Sequence, residues 1–253
     1  MPVHAYSLFS SSSGNCSFFT DGTTSFLIDA GGSCRRIAGS LAGLGASPSE
    51  LSAILITHEH TDHTSALPVL TAKYAVPVHA PAPCVPFLRV CGAVPHPREY
   101  ELTLGDFTIR SFITSHDSRC SVGYRITHAD GTVAAAATDT GFVTEQMKQA
   151  LAGCRAVLLE SNYDADMLIH GSYPAETKRR IASDSGHLSN AQCAELLPYL
   201  YGNGTRRVIL GHISAENNTN EAALRSADEA RRLFRLDGLE IECAERAGTV
   251  RII

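Results

Sequence analysis

Apolar and polar positions along the chain fall into short β-rich stretches separated by Ser/Gly or Asp-Gly turns. Val3 to Phe9, Cys16 to Thr20, Ser25 to Asp29 and Ala53 to Thr57 read as strands. Helices are expected at Ser33 to Leu44 and Ala66 to Lys73, whereas the Pro-rich span Pro77 to Pro97 admits only short or broken helices. The pattern then repeats. Strands Phe107 to Ile113, Val122 to Thr127 and Thr132 to Ala137 precede a helix at Thr144 to Ala152 and a short buried strand at Ala156 to Leu159. Helices at Pro174 to Ala182, Ser189 to Tyr201 and Asn220 to Leu236 follow, with strands at Arg207 to Leu210 and Leu239 to Cys243. Groups of strands separated by helices in both halves point to an α/β chain of two sheets packed face to face and flanked by helices. No Pro/Gly/Ser-rich linker divides it, so residues 1–253 are expected to form a single domain.

Composition narrows this picture. With 44% hydrophobic and 19% charged residues, a disordered, collagen-like or coiled-coil chain is excluded. A net charge of −5 argues against gripping nucleic acid through overall positive charge and leaves only local basic patches for that purpose. The eight cysteines, at 16, 34, 84, 91, 120, 154, 193 and 243, form no CxxC pair, so they read as scattered, mostly buried thiols. No apolar run is long enough to span a membrane, and Met1-Pro2-Val3-His4 does not open a signal peptide. A cytoplasmic protein without membrane attachment is expected.

The candidate chemistry is concentrated in histidine. The apolar strand ending at Thr57 runs directly into His58-Glu59-His60-Thr61-Asp62-His63. A chance H-x-H-x-D-H in such a chain has odds on the order of one in a thousand, so the cluster reads as a metal site. Past a strand the backbone is free to curl, and His58 and His60 can serve one ion while Asp62 and His63 serve a neighbouring one. Further donors stand where other buried strands stop: His116, Asp139 and His212. A carboxylate such as Asp139 can bridge two cations, which imidazole does not readily do; in isolation, Thr138-Asp139-Thr140-Gly141 would equally be a turn or helix cap.

These motifs resemble the successive ligand motifs of the metallo-β-lactamase-fold hydrolases over essentially the whole chain. Ser12-Ser13-Gly14-Asn15-Cys16, Leu27-Ile28-Asp29-Ala30-Gly31, Thr138-Asp139-Thr140-Gly141, Glu160-Ser161-Asn162, Gly186-His187-Leu188-Ser189-Asn190 and Ser214-Ala215-Glu216-Asn217-Asn218 are similar to the YycJ/WalJ group of bacterial 5′-3′ DNA exonucleases. Tyr163 and Ala66 depart from that group, which is expected to have His and Gly there. The resemblance implies a four-layer αββα sandwich. It also implies one metal held by His58, His60 and His116 and a second by Asp62, His63 and His212, with Asp139 bridging. All-His/Asp ligation suits two divalent ions, Zn²⁺ or Mn²⁺, sharing an activated water.

Gly186-His187-Leu188-Ser189 precedes a helix. Ser189, three residues before Gln192, makes a capping box there, and His187 sits where free backbone N–H groups favour a phosphate. Asp62 and His187 are accordingly the expected catalytic residues. Lys178, Arg179, Arg180, Ser189 and Asn190 are the candidate substrate contacts, the basic trio because it lies close to His187 in the chain. The implied activity is metal-dependent phosphodiester hydrolysis with a nucleic acid substrate, DNA in preference. Its rivals are a glyoxalase II-like thioester hydrolase, which shares the ligand set, and a metal-bearing nucleic-acid-binding or regulatory protein with an idle centre.

Overall fold

The computed structural model describes residues 2–253. Its first sheet begins as a meander: β1 (His4–Ser11), β2 (Gly14–Thr20) and β3 (Ser25–Ile28) pair antiparallel in that order. It then becomes parallel, adding β4 (Ala53–Leu55), β5 (Val78–Pro81) and β6 (Val94–His96). The second sheet repeats the plan. β7 (Glu101–Leu104), β8 (Phe107–Ile113), β9 (Val122–His128) and β10 (Val133–Ala137) are antiparallel neighbours. β11 (Ala156–Glu160), β12 (Arg207–Gly211) and β13 (Glu240–Cys243) continue in parallel. A short β14 (Val250–Arg251) returns to the outer edge of β1, so each sheet has seven strands among the described residues.

Alternation along the strands sets the layers. In β10, Ala134 and Ala136 face the other sheet while Ala135 and Ala137 face the helices; in β12, Ile209 faces inward and Val208 and Leu210 outward. Between the sheets, Phe19, Phe26, Phe107, Tyr124, Ile109 and Leu158 form the central core. Phe26 stacks on Phe19 at 5.3 Å and meets Phe107 edge-on at 5.3 Å, joining the two sheets. Helices α1 (Cys34–Gly43) and α3 (Leu67–Tyr74) cover the outer face of the first sheet through Ile37, Leu41, Leu67 and Leu70. Between them in the chain lies the one-turn helix α2 (Thr61–Thr64). On the second sheet, α4 (Glu145–Leu151), α7 (Asn190–Gly202) and α8 (Asn220–Leu233) pack through Met147, Leu151, Leu197, Leu200 and Ala227. The short helices α5 (Ala165–His170) and α6 (Ala175–Ile181) lie between β11 and α7 in the chain. This is the expected αββα sandwich.

Several elements differ from the expectation. The Pro-rich span carries strands β5 and β6 besides a single 3-10 turn at Val85–Phe87. Pro95 is tolerated because β6 ends its sheet and needs to pair on one side only. β7, β14, α2 and α5 are too short to show a period in the sequence. The expected strands reaching Asp29 and Thr57 stop at Ile28 and Leu55, where the chain turns into the site. All eight cysteines are free, and Cys91 alone is exposed. Among the described residues no helix is long and apolar enough to cross a membrane.

Candidate metal centre

β3, β4, β8, β10, β11 and β12 all run in the direction that brings their C-terminal ends to one edge of the sandwich, where open α/β sheets place their ligands. After β4 the chain curls through His58 and His60, and α2 then presents Asp62 and buried His63. Asp29, Asp139 and His212 follow β3, β10 and β12 with φ of 62°, 59° and 53°. Three non-glycine residues in the left-handed region cost about 1 kcal/mol or more apiece, a concentration of strain typical of functional sites.

These turns assemble two donor groups. The ligand atoms of His58, His60 and His116 lie within 4.8 Å of one another, as do those of Asp62, His63, Asp139 and His212. Asp139 stands between them, Oδ2 at 3.2 Å from His63 Nε2 and Oδ1 at 3.8 Å from His116 Nε2. Most rings are fixed from behind. His63 Nδ1 donates to Asp29 Oδ2 at 2.7 Å, and Asp29 is in turn held by Thr57 N–H and Oγ1. His116 Nδ1 donates to the Gly186 carbonyl at 2.9 Å, and His212 Nδ1 to Glu160 Oε1 at 2.8 Å. Each of these three leaves Nε2 facing the centre, the arrangement in which metal-ligating imidazoles are oriented by an outer acceptor. His60 presents Nδ1 instead, 3.2 Å from His116 Nε2.

The donor set fits divalent cations. His58 Nε2 and Asp139 Oδ2 are buried with no hydrogen-bond partner, a condition that costs about 1–3 kcal/mol per atom and that a bound ion relieves. Burial, with the neighbouring His63 charge, holds His58 well below the usual imidazole range, and burial also lowers His116; both are ready as neutral ligands. His63 and His212 behave oppositely. Burial opposes their charge, but Asp139, Asp62 and Asp29 raise His63 well above its ordinary value, and Asp139, Asp62 and Glu160 hold His212 at about 10. For the carboxylates, burial works against ionisation but is outweighed by His63 and His212, so Asp62 and Asp139 sit below the usual range. A metal ion binding there would have to displace the protons that these carboxylates favour on His63 and His212.

His187 lies on the loop before α7, its Nδ1 2.8 Å from Glu160 Oε1 and 3.9 Å from Asp139 Oδ1. With His60, His116, Asp139 and His212 it lines a cavity of about 270 Å³. Glu160 thus holds His187 and His212 together. It also accepts from the Thr140 and Leu188 amides at 2.9 and 3.2 Å, and despite burial these histidines keep its carboxyl at about 2.

The candidate substrate residues separate. Arg180 lines the cavity and pairs with Asp117. Lys178 instead donates to the Ile169 carbonyl at 2.8 Å, and exposed Arg179 does not line the cavity. Ser189 caps α7, its Oγ accepting from Gln192 N–H at 3.2 Å in the expected capping box. Asn190 is buried and bonded to Ser161 Oγ and Asn218. Neither residue lines the cavity; helix-start hydrogen bonds occupy both. Ser12, Tyr173, Thr177 and Ser214 line it instead. Asp29, Glu160 and Asn15 also serve the centre although their motifs alone assign them no role; Asp29 and Glu160 carry the signature of an acid at the end of a buried strand. Asn15 Nδ2 reaches Asp62 Oδ2 at 3.3 Å and His63 Nε2 at 3.1 Å. Gly31 is also needed: a Cβ there would stand 1.8 Å from the Asp62 carbonyl oxygen and 2.6 Å from Asn15 N.

Residues 24–213 match the model of the β-lactamase superfamily domain. The chain is 37% identical over 225 residues to exodeoxyribonuclease WalJ of Streptococcus pneumoniae, covering 85% of this chain and 83% of that one. It is 34% identical over 236 residues to exodeoxyribonuclease YycJ of Bacillus anthracis, covering 90% and 89%. In fold it is similar to the metallo-β-lactamase fold protein YhfI of Bacillus subtilis, with TM-score 0.76, 17% identity and coverage of 99% and 100%. The short form of human tRNase Z aligns with TM-score 0.68, 15% identity and coverage of 98% and 99%. The fold implies divalent metal ions, and the two His/Asp groups can hold them. The chain belongs to the β-lactamase superfamily, in the group of the WalJ and YycJ exodeoxyribonucleases.

Proposed function

We propose that this chain is a metal-dependent nuclease that removes nucleotides from DNA in the 5′-3′ direction. The observation that carries the reading is the convergence of seven donors in two adjoining groups, with Asp139 between them and five of the seven lining one cavity edged by a basic side chain. His58, His60 and His116 would hold one divalent ion and Asp62, His63 and His212 the other, with Asp139 shared. Zn²⁺ or Mn²⁺ suits such a set of imidazoles and carboxylates. Bound there, the ions supply Lewis-acid activation of water and neutralise charge growing on a phosphoryl oxygen.

The chain's own residues do the rest. Asp29, Glu160 and the Gly186 carbonyl hold the imidazoles in orientation, and Asn15 steadies Asp62 and His63. Arg180, at the cavity wall, pairs with a phosphate oxygen of the strand and offsets the chain's net negative charge locally. His187, oriented by Glu160, faces the scissile phosphate and gives a proton to the departing oxygen. The eight free cysteines support a reducing compartment, the cytoplasm.

The test incubates the Mn²⁺- or Zn²⁺-loaded protein with end-labelled single- and double-stranded DNA and RNA, alongside Asp139→Asn. Release of nucleotides from the 5′ end of DNA, lost in the variant, is expected. Thioester hydrolysis without cleavage of any nucleic acid would replace this reading with the glyoxalase II-like one.

A further inference from the structure

We propose that Asp21, Asp106 and His128 form a separate binding site for a divalent transition-metal ion, at the pole of the sandwich opposite the seven-donor centre. Asp21 directly follows β2, and β2 runs antiparallel to β3, so Asp21 is far from the β3 end that carries Asp29. Asp106 sits in the β7–β8 turn, and His128 closes β9, which is antiparallel to β8 and β10. One ligand thus comes from the first sheet and two from the second.

The ligand atoms of the three residues lie within 4.8 Å of one another. His128 is 5% exposed, and its Nε2 is buried without a hydrogen-bond partner although Asp21 Oδ2 is 3.4 Å away. The two make a long ion pair that falls short of a hydrogen bond, so the nitrogen remains available. Its ring is held from the other side, Nδ1 standing 3.0 Å from Asp130 Oδ1 and 3.3 Å from the Asp130 backbone N–H, which donates to it, and the ring packs on Phe107 at 4.8 Å. An imidazole backed by a carboxylate is how metal-ligating histidines are oriented, and a ring nitrogen of His128 lies within 4.8 Å of an oxygen of each of Asp21 and Asp106.

Asp21 is equally committed. Its Oδ1 accepts from the Thr23 and Thr24 amides at 2.8 and 2.7 Å, leaving Oδ2 for the site. Asp106 is exposed and completes the set, its turn tied to the third one by the Ala129 N–H donating to the Asp106 carbonyl at 3.0 Å. One nitrogen and two oxygen donors suit Zn²⁺, with water filling the remaining position. Such an ion would clamp the β2–β3 turn to the turns of the other sheet, and would have no part in the reaction.

The test loads the full chain with Zn²⁺ alone, desalts it, and measures bound zinc and melting temperature for wild type, Asp106→Ala and His128→Gln. Each variant should hold one equivalent of zinc less than wild type and keep its nuclease turnover. With the seven-donor centre disabled by His60→Ala and His212→Ala, zinc at about a hundredfold excess over Kd should still raise Tm by roughly 5–10 °C. Adding Asp106→Ala should remove that rise. Because Asp106 is exposed, its alanine variant keeps the fold even if His128→Gln does not. Equal zinc in wild type and Asp106→Ala, or a Tm rise indifferent to Asp106, overturns the site. A failure of the nuclease reading would appear differently, as absent turnover in every chain with the zinc difference intact.

Discussion

Glu160 Oε1 stands 2.8 Å from His187 Nδ1, and the same oxygen stands 2.8 Å from His212 Nδ1. One buried carboxylate therefore orients both a member of the main donor groups and the histidine at the cavity wall. His187→Ala should lose about 10²–10⁴-fold in kcat while keeping its metal and near-normal Tm, because general acid catalysis is worth that much and the ring packs on His116 and His212 at the cavity and not in the apolar core. Glu160→Gln should differ, weakening metal binding about 10–100-fold as well as turnover. Metal content and turnover measured on the same preparations decide this. Undiminished turnover in His187→Ala would make it an idle loop residue, and loss of metal would make it a ligand.

Two unpartnered buried atoms, His58 Nε2 and Asp139 Oδ2, belong to the two adjoining donor groups. Asp139→Asn should lose metal and activity together, since an amide is a poor bridge between cations. Elemental analysis of the seven-donor centre, in a chain carrying Asp106→Ala, should find two equivalents in the parent and fewer in the double variant. A parent that never exceeds one equivalent would end the two-ion assignment.

Metal affinity should rise with pH. His63 is held above its ordinary range and His212 at about 10, so near neutrality both carry protons that an ion must displace. Each displaced proton makes apparent affinity climb by up to about tenfold per pH unit below the imidazole value. Chelator competition at pH 6, 7 and 8 measures it, and phosphodiesterase activity should fall in parallel as pH drops below about 6–7. An affinity flat across that window would contradict the assignment of these two rings.

Among the basic trio only Arg180 lines the cavity. Arg180→Ala should raise KM for DNA by roughly three- to tenfold with little change in kcat, the loss expected for a partly exposed charge-assisted contact made equally in ground and transition states. Lys178→Ala, whose parent side chain is turned to the Ile169 carbonyl, should be indistinguishable from wild type. Steady-state kinetics showing the reverse order would move the DNA path elsewhere.

Asp21 offers a stability measurement away from the main centre. Burial raises its carboxyl, but the amides of Thr24 and Thr23 and the His128 ring outweigh that and hold it below the ordinary range. A depressed carboxyl contributes stability that is fully present above its unfolded value, about pH 4, and is lost as pH falls through its folded value. In chelator, urea unfolding should therefore find wild type more stable than Asp21→Asn at pH 6, with the gap closing below about pH 4. A gap that persists at pH 2 would mean that the carboxylate charge is not its source.

What the sequence determined by itself is local. The run His58 to His63 follows a buried strand within a few residues, so its donors could be placed together before any fold was known, and the capping box at Ser189 is likewise a matter of adjacent positions. His116, Asp139 and His212 were found because each ends a buried apolar run. Tertiary structure decided the rest, since the remaining relationships join residues far apart in the chain. Asp29 reaches His63, and Glu160 reaches both His187 and His212, only after parallel strands have brought their C-terminal ends to one edge. The direction of a long side chain depends on the neighbours it finds, which is why one helix sends Arg180 into the cavity and Lys178 away from it. Asp21, Asp106 and His128 carry no spacing that links them; packing of one sheet on the other brings their turns to the same pole.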